Sequence, residues 1–417
     1  MVLLLLPAYI LISAIQPQAL VGSGEDMRPA DVGRIKGLIK QNDPRQLRDG
    51  EVRRLNITER DLNLILAYTL RQISGQSIAI ELAPQTLRVD YSYTMPRNPL
   101  GKYLNVSVAL MQSDGTLMVR QVGLGEATVP EWMLNPVVNV VDRLLREKLP
   151  EYAGVIAAIK DLRLQEDEVQ VIYQWHSGLA DQIQSRGRDF LLPHADRQRI
   201  LAYYELIAEQ SKQLSGNTSM AVLLQPLFAL AEQRSNKTGN ERAENRALLL
   251  ALGLVVNRSS PDRLLGFGDR QVRVRPDYMR LTLAGRTDLA QHFVFSAAIT
   301  AAGGSGLADA VGIFKELDDS RGGSGFSFVD LLADRAGVGL ANIALGPHAK
   351  QVQRGMAASL YESDFMPSTR ELPEGLMELE FKSRYVDLDS AKYQRVNSEI
   401  SDRISSGTIH QQHTTPK

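Results

Sequence analysis

Asp288, His292 and Ser296 fall at i, i+4 and i+8 on one helical face just before an Ala/Gly-rich run, and this face is the clearest place in the 417-residue sequence for chemistry. An Asp–His pair on neighbouring turns can orient an imidazole as a general base. Three turns of one helix do not readily aim all three groups as a nucleophilic triad. Glu316 and Asp319 share the next helical face, and Ser320 to Gly325 (SRGGSG) forces a turn after them. Carboxylates beside a glycine-rich turn permit glycoside cleavage, in which one acid is desolvated and raised in pKa while its partner stays ionised. Ser327 and Asp330 make a Ser-x-x-Asp cap for the helix Phe328 to Leu345, which gives Asp330 a structural role. Asp334 sits one turn further on beside Arg335 and reads as half of a helix-surface ion pair. The catalytic candidates are therefore His292, Glu316, Asp319 and Asp334, with His292 and Glu316 in the acid–base roles. The competing expectation is a buried hydrogen-bonded network of His292, Glu316 and Asp334 that pins three helices together. A divalent metal on His292, Glu316, Asp319 and Asp334 is a third option, but nothing resembles HExxH or an EF-hand loop, so no metal or cofactor is expected.

Composition narrows the classes. The chain is 44% hydrophobic and 23% charged, as globular proteins are, and its 47 basic against 48 acidic side chains leave a net charge of -1. No global field draws in a polyanion, so nucleic acid is not an expected partner. Zero cysteines exclude disulfides, thiolate metal sites and a cysteine nucleophile. No G-x-S-x-G elbow and no Walker sequence occurs, which argues against acyl transfer and nucleotide hydrolysis.

The elements that must position the candidate groups follow from periodicity. Val2 to Ile15 is apolar almost throughout, slightly short of the roughly 20 residues that cross a bilayer as a helix. Residues 1–21 are therefore expected to act as an export signal, as an uncleaved anchor or as a cleaved peptide. Residues 22–54 read as a tether. Leu62, Ile65, Leu66, Thr69, Leu70 and Ile73 recur at helical spacing behind Thr58, and four alternating segments follow, around 78–82, 87–93, 104–110 and 117–119. They predict an antiparallel meander over residues 55–150, with the apolar face of Trp132 to Leu145 closing one side of the sheet. Residues 151–285 read as a helical scaffold, in which Arg270 to Arg275 alternates charge with aliphatics as a strand with a solvated basic face. Residues 286–403 form a second helical region with a proline-punctuated extension, and residues 404–417 a disordered tail. The fold class is thus α+β: an anchor helix, a small antiparallel β-meander with flanking helices, and a mostly α-helical domain.

Two resemblances refine this reading. The helix Leu55-Asn56-Ile57-Thr58-Glu59-Arg60-Asp61-Leu62-Asn63 between an anchor and a meander resembles the YpmS-like class of anchored extracytoplasmic proteins over residues 1–150. Gln291-His292-Phe293 with Ser296, then Lys315-Glu316-Leu317 with Asp319, then Gly323 to Ser327 with Asp330-Leu331-Leu332-Ala333-Asp334 and Gly337 resembles the YfiM-like envelope proteins, and more distantly VanZ-like proteins, over residues 285–346. These resemblances imply a periplasmic protein held at the inner membrane by its N-terminal segment, or released into the periplasm if that segment is cleaved. Such a protein would organise the envelope or bind lipid or glycan. The alternative is a glycan-cleaving envelope hydrolase that uses His292 and Glu316.

Overall fold

The computed structural model describes residues 13–22, 28–42, 47–70, 76–113, 115–148, 150–176, 192–258, 261, 265–266, 272, 274–303 and 324–414. They form a mixed α+β protein of two units, the first made of residues 1–27 and 33–187 and the second of 28–32 and 188–417.

In the first unit the alternating segments form a meander. Strands β3 (Gln76–Ala83), β4 (Thr86–Thr94), β5 (Tyr103–Ser113), β6 (Thr116–Leu124) and β7 (Ala127–Thr128) pair antiparallel in sequence order. The short strand β1 (Ile15–Gln16) adds to the start of β5 through Leu104 and Tyr103. This corrects the expectation for the N-terminal segment in part: Ile15 is a strand residue, and Ala14 and Val21 are buried. Residues 1–12 lie outside the described residues, among which no helix is long and apolar enough to cross a membrane.

A second sheet was not anticipated. Strands β2 (Val52–Thr58), β8 (Ile159–Leu164) and β9 (Glu168–Gln174) pair antiparallel in the order β2-β9-β8. Residues 159–174, read as part of a helical scaffold, are strands because Leu162 and Leu164, then Val169 and Val171, alternate about the turn at 165–167. The tether likewise contains helix α1 (Pro29–Gln41) and most of β2. Leu162, Leu164, Val169 and Val171 pack with Leu82, Leu87, Val89 and Leu110, so the second sheet covers the meander. Helix α3 (Glu131–Lys148) does not take that place and leaves Trp132, Val140, Val141 and Leu144 about half exposed or more.

Helix α2 (Glu59–Leu70) gives Thr58, Glu59, Asp61 and Asn63 structural roles. Thr58 caps it by accepting from the Asp61 N–H, and the fully buried Asp61 carboxylate receives a forked contact from Arg34 at 2.8–3.0 Å. Glu59 and Asn63, one turn apart, face the exposed edge of β3. The Leu82 N–H donates to Glu59, and Asn63 both accepts from the Ile80 N–H and donates to its carbonyl, each at 2.7 Å. An open sheet edge is thereby satisfied by side chains.

The second unit is built on helices α5 (His194–Ser211), α6 (Met220–Thr238), α7 (Glu241–Val256), α8 (Thr287–Gly303), α9 (Phe328–Leu345) and α10 (Ala349–Ala358). A short parallel pair, β10 (Asn217–Ser219) and β11 (Arg280–Thr282), joins them. One continuous core includes Tyr203, Phe228, Leu248, Phe293 and Leu332, so the segments before and after residue 285 share an interior. The buried Glu244 carboxylate ties it together, accepting from the Tyr203 hydroxyl and from Arg234 at 2.7 Å each. The proline-punctuated segment returns across α9: Phe326 pairs with Leu376 on both backbone sides, and Phe328 N–H donates to the Pro373 carbonyl. Helix α11 (Glu362–Phe365) precedes it, α12 (Glu378–Tyr385) and α13 (Ala391–Ser405) follow, and rings of Phe326, Phe328, Phe381 and Tyr393 cluster. The expected disordered tail is helical over α14 (Thr408–Thr414), because Ile409 and His410 find burial. The basic stretch is corrected as well. Residues 274–279 carry no strand pairing, and positions 270, 271 and 273 lie outside the described residues.

Asn63→Ala would leave the Ile80 N–H and carbonyl beneath α2 without their partner. The expected loss is about 1–3 kcal/mol, seen by calorimetry as a transition several degrees lower. Asn63→Asp, which keeps an acceptor for the N–H, should fall between the two.

Candidate functional site

Helices α8 and α9 are made to meet closely by one residue. A Cβ on Gly337 would stand 2.1 Å from the Phe293 carbonyl oxygen, so only glycine lets the two backbones approach at this crossing. His292 and Ser296 lie on α8 on either side of that contact, and Asp330 and Asp334 lie about two turns and one turn before Gly337 on α9.

The crossing brings these four side chains together. His292 Nδ1 lies 3.2 Å from Asp334 Oδ1, and the Ser296 hydroxyl donates to the same oxygen at 2.7 Å. His292 Nε2 faces Asp330 Oδ2 at 3.6 Å, beyond hydrogen-bond length. The imidazole thus turns its Nδ1 edge to Asp334 and its Nε2 edge to Asp330. Asp334 is only 3% exposed, and no described residue donates to its Oδ2. It is not the surface partner of Arg335, whose guanidinium instead donates to the Asn397 carbonyl. The expected cap on α9 is present, with Asp330 N–H donating to Ser327 Oγ at 3.0 Å, and the Asp330 carboxylate also faces the imidazole.

A cavity of about 610 Å³ opens beside the pair, with His292, Asp330, Arg286, Asp288, Glu374 and Gln291 in its wall. Gly325 and Gly375 also line it. At Gly325, with φ +87°, a Cβ would stand 2.4 Å from the Gly375 carbonyl carbon, so this wall is bare backbone. Arg286 braces the rim, donating to Asp288 and to Glu374 at 2.6 Å, with Asp330 Oδ1 3.8 Å away. Its hydrogen bonds hold the Asp288 carboxyl below the usual carboxylate range, and Asp288 in return raises the guanidinium above its ordinary value.

Of the sequence-selected residues, His292 and Asp334 are in contact, and Ser296 joins them. Asp288 does not reach His292, because Arg286 claims it. Glu316 and Asp319 lie outside the described residues. Among the described residues no group of three or more His, Asp or Glu side chains is disposed to hold a metal ion. Arg286, Gln291 and Glu374 were missed. Arg286 stands two residues before the selected Asp288 and was within reach of a spacing argument, but Glu374 is 88 residues from Arg286 and carries no local signal. Chemically, Asp334 orients the ring, and the Nε2 edge that faces Asp330 borders the cavity.

Gly337→Ala should force α8 and α9 apart at a cost of about 1–3 kcal/mol or more. Calorimetry should show the second unit melting several degrees lower, and NMR should show the His292 Nδ1 environment altered, because the Asp334 contact depends on that approach.

Comparison with models of protein families, with curated proteins and with solved structures returned no match for this chain.

Proposed function

We propose that this chain is an envelope protein of the periplasm, held at the inner membrane by its N-terminal segment, whose second unit binds cell-wall glycan in the cavity beside His292. One observation carries the reading: an imidazole fixed by a buried carboxylate stands in the wall of a cavity otherwise rich in hydrogen-bonding side chains. Arg286, Asp288, Gln291, Glu374 and Asn257 offer forked donors and acceptors, and Phe295 supplies a ring. Sugar hydroxyls and ring faces call for such a mixture. In the hydrolytic form of this proposal His292 exchanges the proton, Asp334 holds it in register, and Glu316 or Asp330 supplies the second acid group. The order of residues shared with YfiM-like proteins supports the same placement in the envelope.

The test is incubation of the full chain with purified glycan strands, following binding by co-sedimentation and cleavage by new reducing ends. Retention on the strands that is weakened by Arg286→Gln supports binding. New reducing ends that fall by 100-fold or more in His292→Gln, within the usual 10²–10⁴ share of acid–base catalysis, support the hydrolase. A chain that neither binds nor cleaves the strands removes the proposal.

A lipid contact on the first unit is favoured by a separate observation, the exposed Trp132, Val140, Val141 and Leu144 on α3. An amphipathic helix with an indole near its start suits the interface of a bilayer. With Trp175→Phe leaving Trp132 as the sole indole, vesicles should shift its emission to the blue. Val140→Asp with Leu144→Asp should abolish the shift.

A further inference from the structure

A second cavity, of about 680 Å³, adjoins the first. Gln291 lines both, and the consecutive residues Asn257 and Arg258 divide between them, so the two share a border on α8 and at the end of α7. Their charges are opposite. Among the described residues, Asp288, Asp330 and Glu374 stand around the His292 cavity against one arginine, whereas Arg258, Arg275 and Arg280 stand around the second against Asp277. Arg258 is held over the ring of Tyr278 at 4.7 Å, which fixes its direction while that ring stays 66% exposed.

An anionic group is repelled from the first cavity and attracted by the second, and a ligand that spans Gln291 can satisfy both. We infer that the arginine-lined cavity is an anion subsite for a glycan whose neutral sugar occupies the His292 cavity, so that the substrate class is an acidic glycan bearing a carboxylate or a phosphate. The inference rests on the reading of the His292 cavity as a glycan site. It also accounts for the run ending at Arg275, whose charge is brought to a cavity instead of a sheet face.

Titration calorimetry at low salt on the full chain, with three probes, tests it. The probes are neutral chitobiose, the disaccharide of N-acetylglucosamine and N-acetylmuramic acid with its lactyl carboxylate, and N-acetylglucosamine 6-phosphate. At least one acidic probe should bind about three- to tenfold tighter than chitobiose, as two partly exposed ion pairs allow. The double variant Arg258→Gln, Arg280→Gln should erase that advantage, leave chitobiose binding unchanged and leave the melting temperature unchanged. Whichever acidic probe loses more identifies the anion. Chitobiose binding with no acidic preference in the wild type, or a preference that survives the double variant, overturns the anion subsite and spares the glycan reading. Binding of the phosphate probe that is lost in the double variant, with no binding of chitobiose, overturns the glycan reading and keeps an anion site. No binding by any probe overturns both.

Discussion

The second unit turns on the approach of α8 to α9 over Gly337. Helix axes normally keep 8–10 Å apart according to the side chains between them, and removing a Cβ at the crossing brings two polar rows within hydrogen-bond reach. His292 and Ser296 on one helix, and Asp330 and Asp334 on the other, are each four residues apart, so a single close crossing aligns both pairs at once. The contact is expensive to disturb, because Asp334 is buried and leans on His292 and Ser296. A second glycine supports the same geometry from behind, since a Cβ on Gly253 of α7 would stand 2.6 Å from the Ala298 Cβ on α8.

Around that crossing the charges are arranged by Arg286. Three carboxylates border one cavity, and like charges so near each other would raise one another's pKa or spread the wall apart. The guanidinium between Asp288 and Glu374 relieves this, and both bonds come from separate nitrogens of one planar fork. It also draws the segment around Glu374 onto the start of α8. The backbone pairing of Phe326 with Leu376 does the same from the other side.

How much of this was legible depends on the range of each interaction. The contact of His292 with Asp334 was one of two competing expectations, as part of a buried network, and the meander strands stand where alternation placed them, because strand alternation is a local signal. Asp288 was misassigned since the spacing that points it toward His292 also leaves it beside Arg286, and a guanidinium two residues away pairs with it more strongly than an imidazole one turn on. Asp334 next to Arg335 looked like a surface pair. Only the close crossing at Gly337 turns that face of α9 inward. In the second sheet the β8–β9 hairpin carries a local alternation that was read as helix, whereas the place of β2 was hidden because it pairs with β9 across more than a hundred residues, Val52 opposite Gln174. The same holds for the tail, where Ile409 is buried by surfaces far from it in the chain.

Structural and functional readings of the His292 cluster make different demands on its surroundings. A network kept only to pin helices is best sealed on every side, since each polar atom open to a cavity gives back part of the energy gained by pairing. Here the two edges of the ring differ. On the Nδ1 side Asp334 and Ser296 are nearly inaccessible, whereas Asp330 on the Nε2 side lines the cavity together with the imidazole itself. The contacts with Asp334 and Ser296 fix the ring's orientation, and the cavity bordered by His292 and Asp330 sets a polar volume beside that oriented ring.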